Sequence, residues 1–165
     1  MGLKVFVTRE LFPFTAGGIG RVVANILMTT PAEERASMAV MYVGDSITEE
    51  AFALAHPGVT LLAWPQARYE RVDAQGRIYP ACPDFDHSYL HWESVHVFQG
   101  LKELERKFGA LDYIEFVDWG AQAFASTQEK LLGNAFGDTT LAVRLHTTDS
   151  ILADFEPRAP SVHGF

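Results

Sequence analysis

A glycine-rich loop between an apolar strand and a periodic helix limits the folds open to this chain of 165 residues. Leu3–Thr8 is an apolar run, and the loop that follows it contains Gly17, Gly18 and Gly20. Apolar residues then recur at helical spacing: Ile19, Val22, Val23, Ile26 and Leu27. Glycines let backbone N–H groups approach a ligand, and the positive end of the helix dipole lies beside them. The loop therefore predicts a phosphate site, or else a tight strand-to-helix turn without a ligand.

Two common phosphate-binding motifs do not match this loop. A Walker motif ends in Gly-Lys-Ser/Thr, and neither Gly17 nor Gly18 is followed by that tripeptide. A dinucleotide-binding loop has a third glycine where this chain has Val23. Asp45, after the second apolar run, resembles a ribose-binding carboxylate but does not replace the missing glycine. The sequence therefore disfavours a nicotinamide cofactor.

Apolar runs and amphipathic segments alternate along the whole chain. The patterns predict strands over 3–8, 37–43, 59–63, 112–117 and 139–145, and helices over 19–29, 48–55, 89–108 and 119–132, with a last short helix capped by Thr148 or Asp149. Apolar strands separated by helices are typical of a parallel sheet covered on both faces. The prediction is an α/β, Rossmann-like fold, whose ligands bind outside the carboxyl ends of the strands.

A segment of about residues 64–89 interrupts this alternation. It is too long for an ordinary strand-to-helix connection, so we expect an insertion that leaves the carboxyl end of the third strand. Functional loops tend to lie at that edge.

Composition narrows the partners and the compartment. The chain is 48% hydrophobic and 21% charged, which is enough apolar material for one domain with a single core. Its formal net charge of −8 disfavours nucleic acid as the main partner. No run approaches the roughly 20 apolar residues of a transmembrane helix. Because Cys82 is the only cysteine and the amino terminus lacks a signal-peptide pattern, we expect a cytoplasmic location.

Polar residues follow the fourth and fifth predicted strands at the edge where the glycine loop also lies. Asp118 ends one strand and His146 ends the next. Convergence of three separate segments on one crevice predicts a ligand site there. Alternatively, Asp118 caps a helix that begins at Trp119, and His146 is a structural histidine bonded to a nearby backbone carbonyl.

A second group of polar residues has the composition of a metal site without its spacing. Its members are Cys82, Asp84, Asp86, His87, His91 and His96. No third ligand is fixed by a recognised pattern, so the sequence favours solvated loop side chains and predicts no metal.

Taken together, these motifs resemble those of a known enzyme family. Glu10, Pro13, the Gly17–Gly20 loop, Asp118-Trp119 and Leu145-His146-Thr147 look like the amino-terminal half of the retaining, nucleotide-sugar-dependent glycosyltransferases that include starch and glycogen synthases. The resemblance implies one half of a two-domain GT-B architecture. It also implies transfer of a hexose from a nucleoside diphosphate sugar to a carbohydrate-like acceptor. One departure is that glucan synthases have a lysine just before the glycine pair, where this chain has Thr15 and Ala16.

The same resemblance assigns roles to residues of this chain. It implies that Gly17, Gly18 and Gly20 bind the donor diphosphate. It further implies that His146 and Asp118 act at the reacting sugar, and that Trp119 and Glu10 contact the acceptor or the sugar. The nucleotide sugar is then a substrate, and no separate cofactor is expected.

The resemblance also implies a domain organisation. Residues 1–165 correspond to an acceptor-side domain that we expect to be incomplete, with a second Rossmann-like domain as its partner and with no transfer activity by itself. Two other interpretations stay open from the sequence. In the first, the chain is a non-catalytic binding or regulatory module on the same fold. In the second, it is a different enzyme with a phosphate ligand.

Overall fold

A computed structural model describes residues 2–65 and 89–146, which form an α/β fold around a five-stranded sheet. The strands are β1 (Leu3–Thr8), β2 (Met38–Val43), β3 (Thr60–Trp64), β4 (Leu111–Val117) and β5 (Thr140–Arg144). The helices are α1 (Gly18–Thr29), α2 (Ala32–Arg35), α3 (Glu49–Ala55), α4 (Tyr89–Phe108) and α5 (Phe124–Leu131), with a short 3₁₀ helix at Trp119–Ala121. The predicted Rossmann-like fold class is confirmed.

The strand order places a topological switch point between β1 and β4. The sheet runs β3-β2-β1-β4-β5, and each neighbouring pair is parallel. β2 and β3 extend the sheet on one side of β1, and the chain then crosses over to form β4 and β5 on the other side. Neighbouring connections diverge above such a point and leave a crevice at the carboxyl ends of the strands.

Both faces of the central strands are buried, which explains their nearly continuous apolar sequence. Val5 and Val7 of β1 pack into a cluster with Leu101 of α4, whereas Phe6 joins the opposite cluster with Leu27 of α1. Side chains alternate between the faces of a strand, so one apolar run supplies both cores. The clusters on the two faces therefore hold the carboxyl edge of the sheet in place.

One predicted helix is wrong, and backbone conformation gives the reason. Instead of a single helix over 119–132, the chain forms the 3₁₀ helix and then α5. Gly120 and Ala121 have φ angles of 78° and 51°, in the left-handed region, and these end the helical path. The sequence pattern also missed the four-residue α2, while the other described elements lie within about two residues of their predicted bounds.

Some sequence predictions fall outside the described residues. These are most of the proposed insertion, at 66–88, and the last short helix beyond His146. Among the helices within 2–65 and 89–146, none combines the length and apolar character needed to cross a membrane.

Candidate functional site

A small cavity of about 180 Å³ lies at the switch point between β1 and β4. Its walls come from the end of β1 and from the turn after β4, with Ile19 of α1 and Val117 of β4 as apolar parts. The remaining lining residues are Thr8, Arg9, Glu10, Trp119 and Gln122. Trp119 and Glu10 were predicted from the sequence to contact a ligand, and the structure brings them to one cavity.

The Glu10 carboxylate occupies the glycine loop. Thr8 fixes the turn, because its hydroxyl donates to the Glu10 carbonyl at 2.7 Å and accepts from the Glu10 N–H at 3.1 Å. The Gly20 N–H then donates to Glu10 Oε2 at 3.4 Å. A Cβ on Gly17, whose φ is 143°, would overlap that carboxylate. The first turn of α1 therefore already has an anionic neighbour, which is favourable at the positive end of a helix.

The three loop glycines are not equivalent in their surroundings. A Cβ on Gly20 would lie 2.6 Å from the backbone nitrogen of Leu11, so the close approach of two chain segments requires glycine there. A Cβ on Gly18 would meet nothing within 4 Å of it among the described residues. A phosphate site at Gly17, Gly18 and Gly20 stays a prediction, and a phosphate that binds the Gly20 N–H would compete with Glu10.

Arg9 is held in place by a helix far away in the sequence. Its guanidinium forms an ion pair with Glu93 of α4, a residue only 1% exposed. It also lies over the ring of Trp119, 5.9 Å from the centroid, which is a cation–π distance. Sequence analysis missed both Arg9 and Glu93, because nothing in either segment indicates that they meet.

Asp118 and His146 contact each other at the same edge of the sheet, just after the ends of β4 and β5. The His146 backbone N–H donates to Asp118 Oδ2 at 2.7 Å, and the His146 ring nitrogen Nδ1 lies 3.5 Å from Asp118 Oδ1. Within the described chain the Asp118 side chain makes no capping hydrogen bond to the 3₁₀ helix, so the capping interpretation is wrong. The predicted proximity of Asp118 and His146 is present.

The ring of His146 also has the backbone partner that a structural histidine would have. Nδ1 lies 3.2 Å from the carbonyl oxygen of Arg144. Because a carbonyl only accepts, Nδ1 carries the hydrogen, and in the neutral ring Nε2 is then an acceptor. The arrangement provides a fixed imidazole able to accept a hydrogen bond from a hydroxyl group.

A polar network on β4 and β5 aligns the strands that carry this pair. Arg144 donates to both oxygens of Glu115, at 2.5 and 2.9 Å, and the Tyr113 hydroxyl donates to Glu115 at 2.6 Å. Burial, reinforced by the bond to Glu115, raises the pKa of Tyr113 to about 12. The hydrogen bond to Glu115 likewise raises the pKa of Arg144. These bonds align β5 with β4 directly before Asp118 and His146.

His56 fixes the other side of the glycine loop. It is 3% exposed, and its Nε2 lies 3.0 Å from the Phe12 carbonyl oxygen. Burial lowers the pKa of His56, the bond to Phe12 partly opposes that effect, and nearby Arg35 adds to it. Because a carbonyl only accepts, Nε2 carries the hydrogen that bonds to the loop, and the lowered pKa favours the neutral ring.

Gln122 is a further lining residue that sequence analysis missed. It is 1% exposed, and neither of its amide atoms has a hydrogen-bond partner among residues 2–65 and 89–146. No sequence signal marks it, since a glutamine in a helix-like segment is ordinarily expected at the surface.

Only part of the possible metal-ligand group can be located. Cys82, Asp84, Asp86 and His87 lie outside the described residues. Inside them, His91 and His96 belong to α4, and no group of three or more histidine, cysteine or acidic side chains is placed to hold a metal ion.

Searches against protein-family models, curated proteins and solved structures give no match to this chain.

Proposed function

We propose that this chain is the acceptor-side part of a retaining hexosyltransferase of the cytoplasm that takes its sugar from a nucleoside diphosphate donor. The observation that carries the proposal is the contact between Asp118 and His146 at the sheet edge that also holds the glycine loop and Trp119. A crevice edge with a hydroxyl-binding imidazole, an aromatic ring and a helix N-terminus offers groups for both sugar and diphosphate. Its partner in this proposal is a second Rossmann-like domain.

The described residues have distinct roles in this reaction. Negative charge builds on the departing diphosphate as the glycosidic bond breaks, and amide donors of the Gly17–Gly20 loop would stabilise it electrostatically. His146 Nε2 would accept a hydrogen bond from a sugar hydroxyl. Asp118 positions His146 through the backbone bond at 2.7 Å. Together these groups orient the donor for attack by the acceptor.

Binding to the 165-residue chain gives a first test. We expect weak, saturable binding of nucleoside diphosphate sugars, measured by ¹⁵N NMR titration, with shifts at residues 17–20 and 146 and with no donor hydrolysis. His146→Ala should weaken it, while Leu54→Ala, an exposed residue of α3, is the control. No shifts at 10 mM ligand would refute the proposal, as would micromolar affinity with repeated turnover by this chain alone.

The same titration distinguishes the proposed function from the alternative of a non-catalytic binding module on the same fold. It predicts tight association with a protein and no response to any nucleotide sugar.

A further inference from the structure

The wall of the β1/β4 cavity contains the buried amide of Gln122, for which the described residues provide no hydrogen-bond partner. A buried amide without partners costs the folded protein free energy, so its presence in a lining position requires an explanation. Ser126 offers a comparison, because it is also fully buried and its hydroxyl has no partner in the described part of the chain. Ser126, however, does not line the cavity.

The charges around the cavity argue against an anion. Among residues 2–65 and 89–146, Arg9 is the one cation that lines it, and the buried Glu93 already neutralises Arg9. Glu10 contributes a further carboxylate. The balance of these charges is negative, so a phosphate placed here would meet repulsion, and the described part of the chain offers it no unpaired cation in the cavity wall. A neutral ligand meets no such cost.

Size and shape restrict the ligand further. Pockets for drug-sized molecules are roughly 300–1,000 Å³, and this cavity of about 180 Å³ has room for one small ring. Trp119 lines it and is 48% exposed, which leaves part of an aromatic surface for the C–H groups of a sugar. A carboxamide has an acceptor oxygen beside a donor nitrogen, so it matches two adjacent hydroxyl groups of which one donates and one accepts.

We infer that this cavity binds a single neutral sugar ring and that the amide of Gln122 binds two adjacent hydroxyl groups of that ring. The inference rests on the proposed function, because it adds to His146 a second residue of the same edge that binds sugar hydroxyl groups. It also separates two subsites, with neutral hydroxyl groups at the β1/β4 cavity and the diphosphate at the glycine loop.

The test is an NMR titration of the 165-residue chain with glucose, galactose and mannose. We expect at least one of them to bind saturably and to shift the Gln122 side-chain NH₂ resonance, with inorganic phosphate unable to displace it. Gln122→Met keeps a similar length but removes both polar atoms, so it should weaken binding at least tenfold. Ser126→Ala removes an equally buried polar group outside the cavity and should leave the affinity unchanged.

Several outcomes would overturn the inference. These are no shift of the Gln122 resonance in the parent chain at 100 mM sugar, equal affinity in Gln122→Met, or displacement of sugar by phosphate. The parent-chain measurement decides the matter even if a variant fails to fold. Nucleoside diphosphate sugars that bind independently of Gln122 would remove this inference and leave the proposed function. If monosaccharides bind through Gln122 and nucleotide sugars do not bind, the proposed function is refuted and this inference stands.

Discussion

Substitution of the loop glycines by alanine should separate residues that the sequence shows as one motif. In Gly20→Ala the new Cβ lies 2.6 Å from the Leu11 nitrogen and from the Glu10 carbonyl carbon, about 1 Å inside ordinary contact. Both contacts are backbone, so the strand-to-helix connection must move. Overpacking of this kind costs about 1–3 kcal/mol of unfolding free energy, and the rigid neighbours place this variant near the upper end.

Gly18→Ala is the matched control in the same turn of the same helix. Its Cβ has open space among the described residues, and its φ lies outside the range that disfavours other residues. We expect a gain of about 0.4–1 kcal/mol, because alanine restricts the unfolded chain. The two variants should then differ by about 3.5 kcal/mol, or roughly 7–14 °C in Tm at this chain length. Thermal melts followed by circular dichroism measure this difference. Equal melting temperatures, or a less stable Gly18→Ala, would refute the packing described for this loop.

Three further predictions concern contacts around the site. Glu93→Gln removes the charge that neutralises Arg9, and urea unfolding should show a loss of about 2–3 kcal/mol; no measurable change would mean that the pair is solvated. Asp118→Ala should lower the unfolding free energy by about 1 kcal/mol, because the His146 N–H loses its acceptor. Asp118→Asn keeps an acceptor and should melt within about 2 °C of the parent. Equal losses in the two variants would contradict the role of Asp118 as the acceptor for His146. The pKa of His56 is lower in the folded than in the unfolded chain, so the unfolded chain binds the proton more readily. The stability advantage of the parent over His56→Gln should therefore be full above about pH 6.5 and shrink as the pH falls below it, as melts at pH 7.5 and 5 would show; a constant difference would disprove the linkage.

The fold could be predicted because its signals are local. Each strand is a short apolar run bounded by polar or turn residues, and α4 has its buried face in the periodicity of Val97, Leu101 and Leu104. The proximity of Asp118 and His146 followed from strand ends alone, since parallel strands share one edge.

The parts that could not be predicted depend on contacts between distant segments or on backbone angles. The Arg9–Glu93 pair joins β1 to α4, and only the packed structure brings the two residues together. The left-handed conformation of Ala121 ended a helix that the apolar pattern extended, and alanine gives no warning of it. Gln122 directly follows that break and lines the cavity.

The position of Glu10 has a kinetic consequence for any anion that enters the glycine loop. Its carboxylate accepts from the Gly20 N–H, so a phosphate that uses this N–H can bind only to the fraction of molecules in which Glu10 has moved away. The apparent dissociation constant is then the intrinsic constant divided by that open fraction. If the opening precedes binding, the observed association rate should level off at high ligand concentration, at the rate at which Glu10 leaves the loop. In Glu10→Gln the electrostatic hold on the helix N-terminus is weaker, and this plateau should rise.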